Sequence, residues 1–252
     1  MSEFAGTWLG PGTIAGSSAR VLATTRSGGV GTGTWSTFTL GGPAEAAEAG
    51  LSINRRRLRR LLDLPADPVW LRQVHGTRCV ELHGHEDSDR IEADAVWTAR
   101  PGVVCAVLTA DCLPVALVDH KGRAVGVAHA GWRGLANGVI EALVAALPVE
   151  PVDLVAWLGP AIGPAAFEVG PEVRDAFTSV DPAAAAAFQP GAGDRWHADL
   201  CELARRRLRA RGVQSIGGGG FCTYSDPERF FSHRRAGGPT GRMATLAWLG
   251  TA

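Results

Sequence analysis

No apolar run in the sequence reaches the roughly 18 residues that a membrane-spanning helix needs. The first residues lack a basic start followed by an apolar stretch, so no secretory leader is expected. Charge of one sign is also missing. Lys and Arg together number 25, as do Asp and Glu, and the formal net charge is zero. A balanced chain lacks the basic footprint of a general nucleic-acid binder. Methionine is scarce, with only Met1 and Met243. A type 1 copper centre, which joins His and Cys to an axial Met, has little to draw on. The cysteines do not pair off in number: Cys79, Cys105, Cys112, Cys201 and Cys222 make five. An odd count in a mid-sized chain argues against a disulfide framework and for a reducing, cytoplasmic compartment. At least one thiol is then free to bind metal or react.

What is present reads as one globular chain. Its 252 residues suit a single large core. Residues 1–18 are rich in Gly and Ser and read as a loose N-terminal arm, with residues 19–252 as a single catalytic domain. A first strand is expected over 20–25, followed by a helix over 45–64. The basic run Arg55, Arg56, Arg57, Arg59 and Arg60 alternates there with Leu58, Leu61 and Leu62 at helical spacing, the pattern of a solvated helix face. Short strands are expected over 69–74, 79–83 and 95–98, and apolar, β-branched ones over 103–109, 113–119, 124–129 and 154–158. Helices are read over 135–147, 183–188 and 199–211, and last strands over 220–224 and 243–249. The strands do not alternate regularly with helices. That favours an α+β fold, mixed sheets with flanking helices, over a doubly wound parallel sheet.

Three metal-ligating side chains stand where expected strands stop. His75 lies in Arg72-Gln73-Val74-His75-Gly76, Cys112 in Thr109-Ala110-Asp111-Cys112-Leu113-Pro114, and His129 in Ala128-His129-Ala130-Gly131-Trp132-Arg133-Gly134. Two imidazoles and a thiolate suit Zn²⁺, and three protein ligands leave a fourth position open, as in catalytic zinc sites. On spacing alone, a buried hydrogen-bonded His and a core Cys fit better, because the three residues lie far apart with no Cys-x-x-Cys pair. A Cys112 nucleophile served by a His base is a further option. Asp111 adjoins Cys112 and is the acid/base candidate, although a continuous strand would send the two side chains to opposite faces.

Several longer blocks carry a resemblance. RQVHG, ADAVWT, TADCLP, AHAGWRG, WLGPAIGPAAFEVG, DPERFFSHRR and TGRMATLAWL, in this order from about residue 70 onward, resemble the signature blocks of the laccase-domain, YfiH-like family. Thr24 to Val30 is similar to the family's opening block, whereas residues 31–44 depart from its Ser-Leu-Asn-Leu-Gly pattern. The resemblance implies zinc held by His75, Cys112 and His129. It implies phosphorolysis of adenosine, inosine and S-methyl-5′-thioadenosine, with adenosine deaminase activity alongside. It also brings two alternatives: hydrolysis of a cell-wall precursor amide, and an older assignment as a copper polyphenol oxidase.

The implied partners are a purine nucleoside and phosphate, with no nucleic acid and no membrane; nothing in the sequence sets an oligomeric state. Phosphate needs cations and N–H donors. Arg26, Arg133, Arg234 and Arg235 are the candidates, with Arg242 beside them, because guanidinium can hold phosphate bidentately. The Gly131 to Gly134 turn offers backbone amides at an expected helix start. Trp132, Phe167, Phe230 and Phe231 could stack on a base, or simply pack the core. Gly29-Val30-Gly31-Thr32-Gly33 lacks the dinucleotide-loop spacing, His83-Gly84-His85-Glu86-Asp87 reads as a polar turn, and His197 with Asp199 reads as a helix start.

Overall fold

A computed structural model describes residues 8–13, 17–42 and 50–250. In chain order the strands are β1 (Trp8–Thr13), β2 (Ala19–Thr24), β3 (Leu71–Arg72), β4 (Cys79–Glu81), β5 (Ile91–Glu92), β6 (Ala95–Thr98), β7 (Val104–Thr109), β8 (Leu113–Asp119), β9 (Val125–Ala130), β10 (Leu154–Leu158), β11 (Glu168–Val169), β12 (Phe188–Pro190), β13 (Trp196–Ala198), β14 (Ser215–Gly218) and β15 (Met243–Leu249). The α-helices are α1 (Leu51–Leu61), α2 (Trp132–Asn137), α3 (Val139–Ala146), α4 (Pro171–Thr178), α5 (Leu200–Ala210) and α6 (His233–Ala236). None of the helices is long and apolar enough to cross a membrane among the described residues.

The class is α+β. A four-stranded sheet runs β1-β2-β15-β7, antiparallel throughout. A six-stranded sheet runs β14-β10-β8-β9-β6-β4. Its inner pairs are antiparallel and its outer pairs, β10 with β14 and β4 with β6, are parallel. The two sheets pack face to face. Cys105 and Val107 of β7 and Ala247 and Leu249 of β15 meet Ala116 and Val118 of β8 and Val125 and Val127 of β9. The period of two then sends Leu113, Val115 and Leu117 to the opposite face, against Leu135, Ile140 and Leu143 of α2 and α3 and Leu203 and Leu208 of α5. On the outer face of the four-stranded sheet, Val104, Ala106, Leu246 and Trp248 pack on Phe38, Leu40 and Leu58. Four layers result, with helix outermost on both sides. β8 is buried along its whole length because it is covered on both faces, which explains its unbroken apolar run.

Four expectations need correction. Trp8–Thr13, placed in a loose arm, pairs with β2 as an edge strand with a register shift between Leu9 and Gly12. The helix read over 135–147 begins at Trp132 and breaks at Gly138, whose left-handed φ of 101° ends α2 and starts α3. The strand read over 220–224 is not one. Only Cys222 bridges to Ala161, and the Thr223 and Tyr224 carbonyls accept from Arg235 instead of from a strand partner. The helix read over 183–188 is a 3-10 helix, Pro182–Ala187, capped by the Asp181 side chain. The part of the first expected helix over 45–49 lies outside the described residues.

The turn joining β8 to β9 depends on one carboxylate. Buried Asp119 accepts from Arg123 Nε at 2.6 Å, Arg123 Nη2 at 3.0 Å and the Arg123 backbone N–H at 2.9 Å. These bonds hold its carboxyl down at about 2. A depressed carboxylate stabilises the fold above its unfolded pKa, near 4, and the gain vanishes as pH falls through about 2. Asp119→Asn is expected to lose roughly 1–2 kcal/mol at pH 7, with Arg123 half exposed and solvent-screened, and to match wild type near pH 2. Urea unfolding across pH reads this out, and a difference independent of pH would refute it.

Candidate active site

The turn from β7 to β8 crosses from the four-stranded sheet to the six-stranded one. That turn carries Asp111 and Cys112. On the neighbouring strand His129 pairs in register with Pro114 and shares a face with Val125 and Val127. His75 arrives on the loop between β3 and β4, in the left-handed conformation at φ 60°. Ligand atoms of His75, Cys112 and His129 all lie within 4.8 Å of one another. Cys112 Sγ is 3.8 Å from His75 Nε2, and the two imidazoles meet edge to face at 4.7 Å between centroids.

Electrostatics suit a thiolate. Burial pushes the Cys112 thiol up, but His129 and His75 outweigh it and bring the pKa to about 6. Burial alone would lower His129. Cys112 and Asp94 overcome it and raise the imidazole to about 9. Asp94, fully buried just ahead of β6, takes part throughout. Its Oδ1 is 2.8 Å from His129 Nδ1 and accepts the His75 N–H at 3.0 Å. Its Oδ2 accepts the Val74 and Gly76 N–H groups at 3.1 and 2.7 Å. Although burial opposes it, these donors, His129 first, hold its carboxyl below the ordinary value. Sequence reasoning quoted the block containing Asp94 without giving it a role; the visible signal was an Asp opening a strand that pairs with the strand of His129.

The donor set fits zinc. Two ligands at about 2.0–2.3 Å from a tetrahedral ion stand roughly 3.5 Å apart, close to the sulfur-to-nitrogen separation here. Asp94 fixes His129 Nδ1 as the bonded nitrogen, which leaves Nε2 for an ion. The other His/Asp/Glu grouping among the described residues, Asp119, His120 and Asp153, is tied up by Arg123 and Lys121. Met243 is buried and its sulfur accepts the Phe231 N–H, so it offers no axial ligand.

The triad opens on a cleft of about 500 Å³, lined also by Gln73, Asp111, Trp132, Phe167, His233, Arg234 and Arg242. Asp111 is engaged through both oxygens, from Thr223 Oγ1 at 2.6 Å and the Arg234 N–H at 2.7 Å. Of the expected phosphate ligands only Arg234 lines the cleft, with Arg242. Arg26 donates to the Ser36 and Pro227 carbonyls and covers the Phe231 ring. Arg235 donates to the carbonyls of Thr223, Tyr224 and Phe230, and Arg133 stacks on Trp132 while exposed. Phe230 and Phe231 are buried in the core, whereas Phe167 and Trp132 face the cleft. Glu86 closes the 83–87 turn by accepting three backbone N–H groups, and Asp199 caps α5.

Glycine at 131 is a requirement of the site. A Cβ there would stand 2.9 Å from His75 Cδ2 and 3.0 Å from Cys112 Sγ. Gly131→Ala is therefore expected to displace two ligands and weaken metal binding by roughly 10- to 100-fold, the equivalent of 1–3 kcal/mol of overpacking. Competition with a zinc chelator measures it, and unchanged affinity would show that the triad does not hold the ion.

Comparison with known proteins agrees with this architecture. Residues 20–250 match the family model described as multi-copper polyphenol oxidoreductase laccase. The chain belongs to this family. It is 49% identical over 243 residues to the Pseudomonas aeruginosa protein named purine nucleoside phosphorylase PA4543, covering 96% of this chain and 98% of that one. It is 48% identical over 227 residues to the Escherichia coli purine nucleoside phosphorylase YfiH, covering 90% and 92%. The crystal structure of Neisseria meningitidis protein NMB0706 superposes with a TM-score of 0.90 at 42% identity, covering 97% of this chain and all of that one. YlmD from Geobacillus stearothermophilus gives 0.89 at 30% identity, with 97% of each chain covered.

Proposed function

We propose that this chain is a zinc-dependent purine nucleoside phosphorylase, acting on adenosine, inosine and S-methyl-5′-thioadenosine, with adenosine deaminase activity at the same site. The observation that carries the proposal is one cleft lined both by a His/Cys/His triad and by Arg234 and Arg242. The names of the family relatives support the reaction class.

In phosphorolysis a phosphate oxygen bonds to C1′ of the ribose as the bond from C1′ to the purine nitrogen breaks. The base leaves with the electron pair and takes up a proton; ribose 1-phosphate remains. Arg234 and Arg242 supply positive charge and N–H donors for phosphate, which places it for attack. Phe167 and Trp132 offer apolar surface to the base. His75, Cys112 and His129 would hold zinc, which supplies Lewis-acid polarisation of a substrate oxygen when bound. With both oxygens occupied, Asp111 is assigned to fixing the Arg234 backbone against the turn that bears Cys112.

A second reading rests on the Asp94 to His129 contact, which also resembles the orienting arm of a cysteine hydrolase. One experiment separates them. Purified protein is incubated with each nucleoside, with and without phosphate. Free base plus ribose 1-phosphate, sensitive to chelation and restored by zinc, fits the phosphorylase; ammonia release from adenosine reports deamination. Chelator-resistant amide hydrolysis blocked by alkylation of Cys112 would install the hydrolase instead.

A further inference from the structure

We infer that Asp94 is a positioning residue that sets both imidazole ligands of the triad at once. The inference rests on the metal site proposed above and concerns how this chain builds it.

His75 and His129 belong to unconnected pieces of chain. One sits on a loop and the other inside β9. A loop ligand usually costs precision, because loop backbones move more than strands do. Here the loop is clamped. Three successive N–H groups, from Val74, His75 and Gly76, converge on one carboxylate. Successive amides point the same way only when the backbone between them departs from an extended path, the arrangement of an anion nest. His75 takes φ 60° to make this possible, a left-handed conformation that a β-carbon disfavours. The Asp94 charge offsets that strain. The same Oδ1 that accepts the His75 N–H meets His129 Nδ1, and the Asp94 carbonyl accepts the His129 backbone N–H at 2.7 Å. One fully buried side chain thus fixes the backbone bearing one ligand and the ring of the other. Gly134 lets the parts close up, since a Cβ there would stand 2.9 Å from the Gly76 carbonyl oxygen.

Neutral Asn cannot replace it. Its amide nitrogen would face a donor on one side or the other, and a buried donor facing a donor is left unsatisfied. Asp94→Asn is expected to weaken zinc binding by about 10- to 100-fold in chelator competition on the full chain, while far-ultraviolet circular dichroism keeps its shape. The cobalt-substituted variant should show an altered visible spectrum, because ligand directions change. Thr98→Val serves as control. It removes a buried hydrogen bond to the Leu82 carbonyl from β6, the strand that follows Asp94, and should lower Tm without moving zinc affinity. Equal zinc affinity in wild type and Asp94→Asn would overturn the inference alone. So would a loss in Thr98→Val as large as in Asp94→Asn, which would mean general loosening. A wild type that takes up no zinc would remove the metal from the proposed function as well. Should Asp94→Asn fail to fold, histidine NMR of zinc-loaded wild type decides: His129 must carry its proton on Nδ1 and bind through Nε2, and the reverse tautomer overturns the inference.

Discussion

Cys112→Ser is expected to lose at least about 10³-fold in kcat/KM for inosine with phosphate, a cost of roughly 4 kcal/mol or more in the transition state. The sulfur is the anionic member of the triad. Its neighbours already bring the thiol pKa to about 6, so at neutral pH it is a ready-made thiolate ligand. A serine hydroxyl stays protonated there and leaves two neutral imidazoles to hold the ion. Cys112 belongs to none of the apolar clusters, so the fold should survive the change. Bound zinc, measured by elemental analysis after dialysis, should fall together with turnover. Full turnover in Cys112→Ser would remove the residue from the mechanism. Loss of turnover with zinc retained would move Cys112 from ligand to nucleophile and favour the hydrolase reading.

Much of the scaffold was legible because its strands are covered on both faces. β6, β8, β10 and β15 fall at the expected bounds: each is a short, largely buried run rich in Val, Ala and Leu. Where glycine interrupts, the reading failed. Gly10 and Gly12 break the alternation of β1, and both take positive φ, so an edge strand looked like an arm. Gly138 falls inside the helix expected over 135–147 and is in fact the joint between two. At the site, His75, Cys112 and His129 carry no local spacing that announces a metal. The family resemblance named them, and the folding of two sheets brings them together. Asp94 went unread because its partners lie 18 to 35 positions away along the chain. The arginines show the converse difficulty. Charge drew attention to Arg26 and Arg235, yet their guanidinium groups donate to backbone carbonyls in loops. Nothing in a sequence separates an arginine that tethers a loop from one that faces a ligand.

That distinction underlies the second large effect, which is expected at Arg242. Its side chain reaches the cleft wall half-buried, and burial lowers its pKa against the opposing pull of Cys112 and Asp111. Nη1 donates to the Thr240 and Gly241 carbonyls at 2.7 and 3.1 Å. Among the described residues no acceptor meets Nε or Nη2, so two donors of a partly desolvated cation remain for an anion. Arg234 is more exposed and already spends Nη1 on the Glu168 carbonyl. Arg242→Met keeps the length of the side chain and removes its charge. It should cut kcat/KM for phosphate about 100-fold, the equivalent of two charge-assisted hydrogen bonds. The KM for nucleoside should change little, because the loss falls on one substrate. Arg234→Met should cost about 10-fold on the same scale. Arg133→Met is the discriminating control, since Arg133 lies outside the cleft on the exposed side of Trp132. A rise in the KM for phosphate in Arg133→Met, with none in Arg242→Met, would relocate phosphate to the start of α2. Both variants behaving as wild type would mean that neither arginine meets phosphate, and the cationic wall of the cleft would then have to serve another anion.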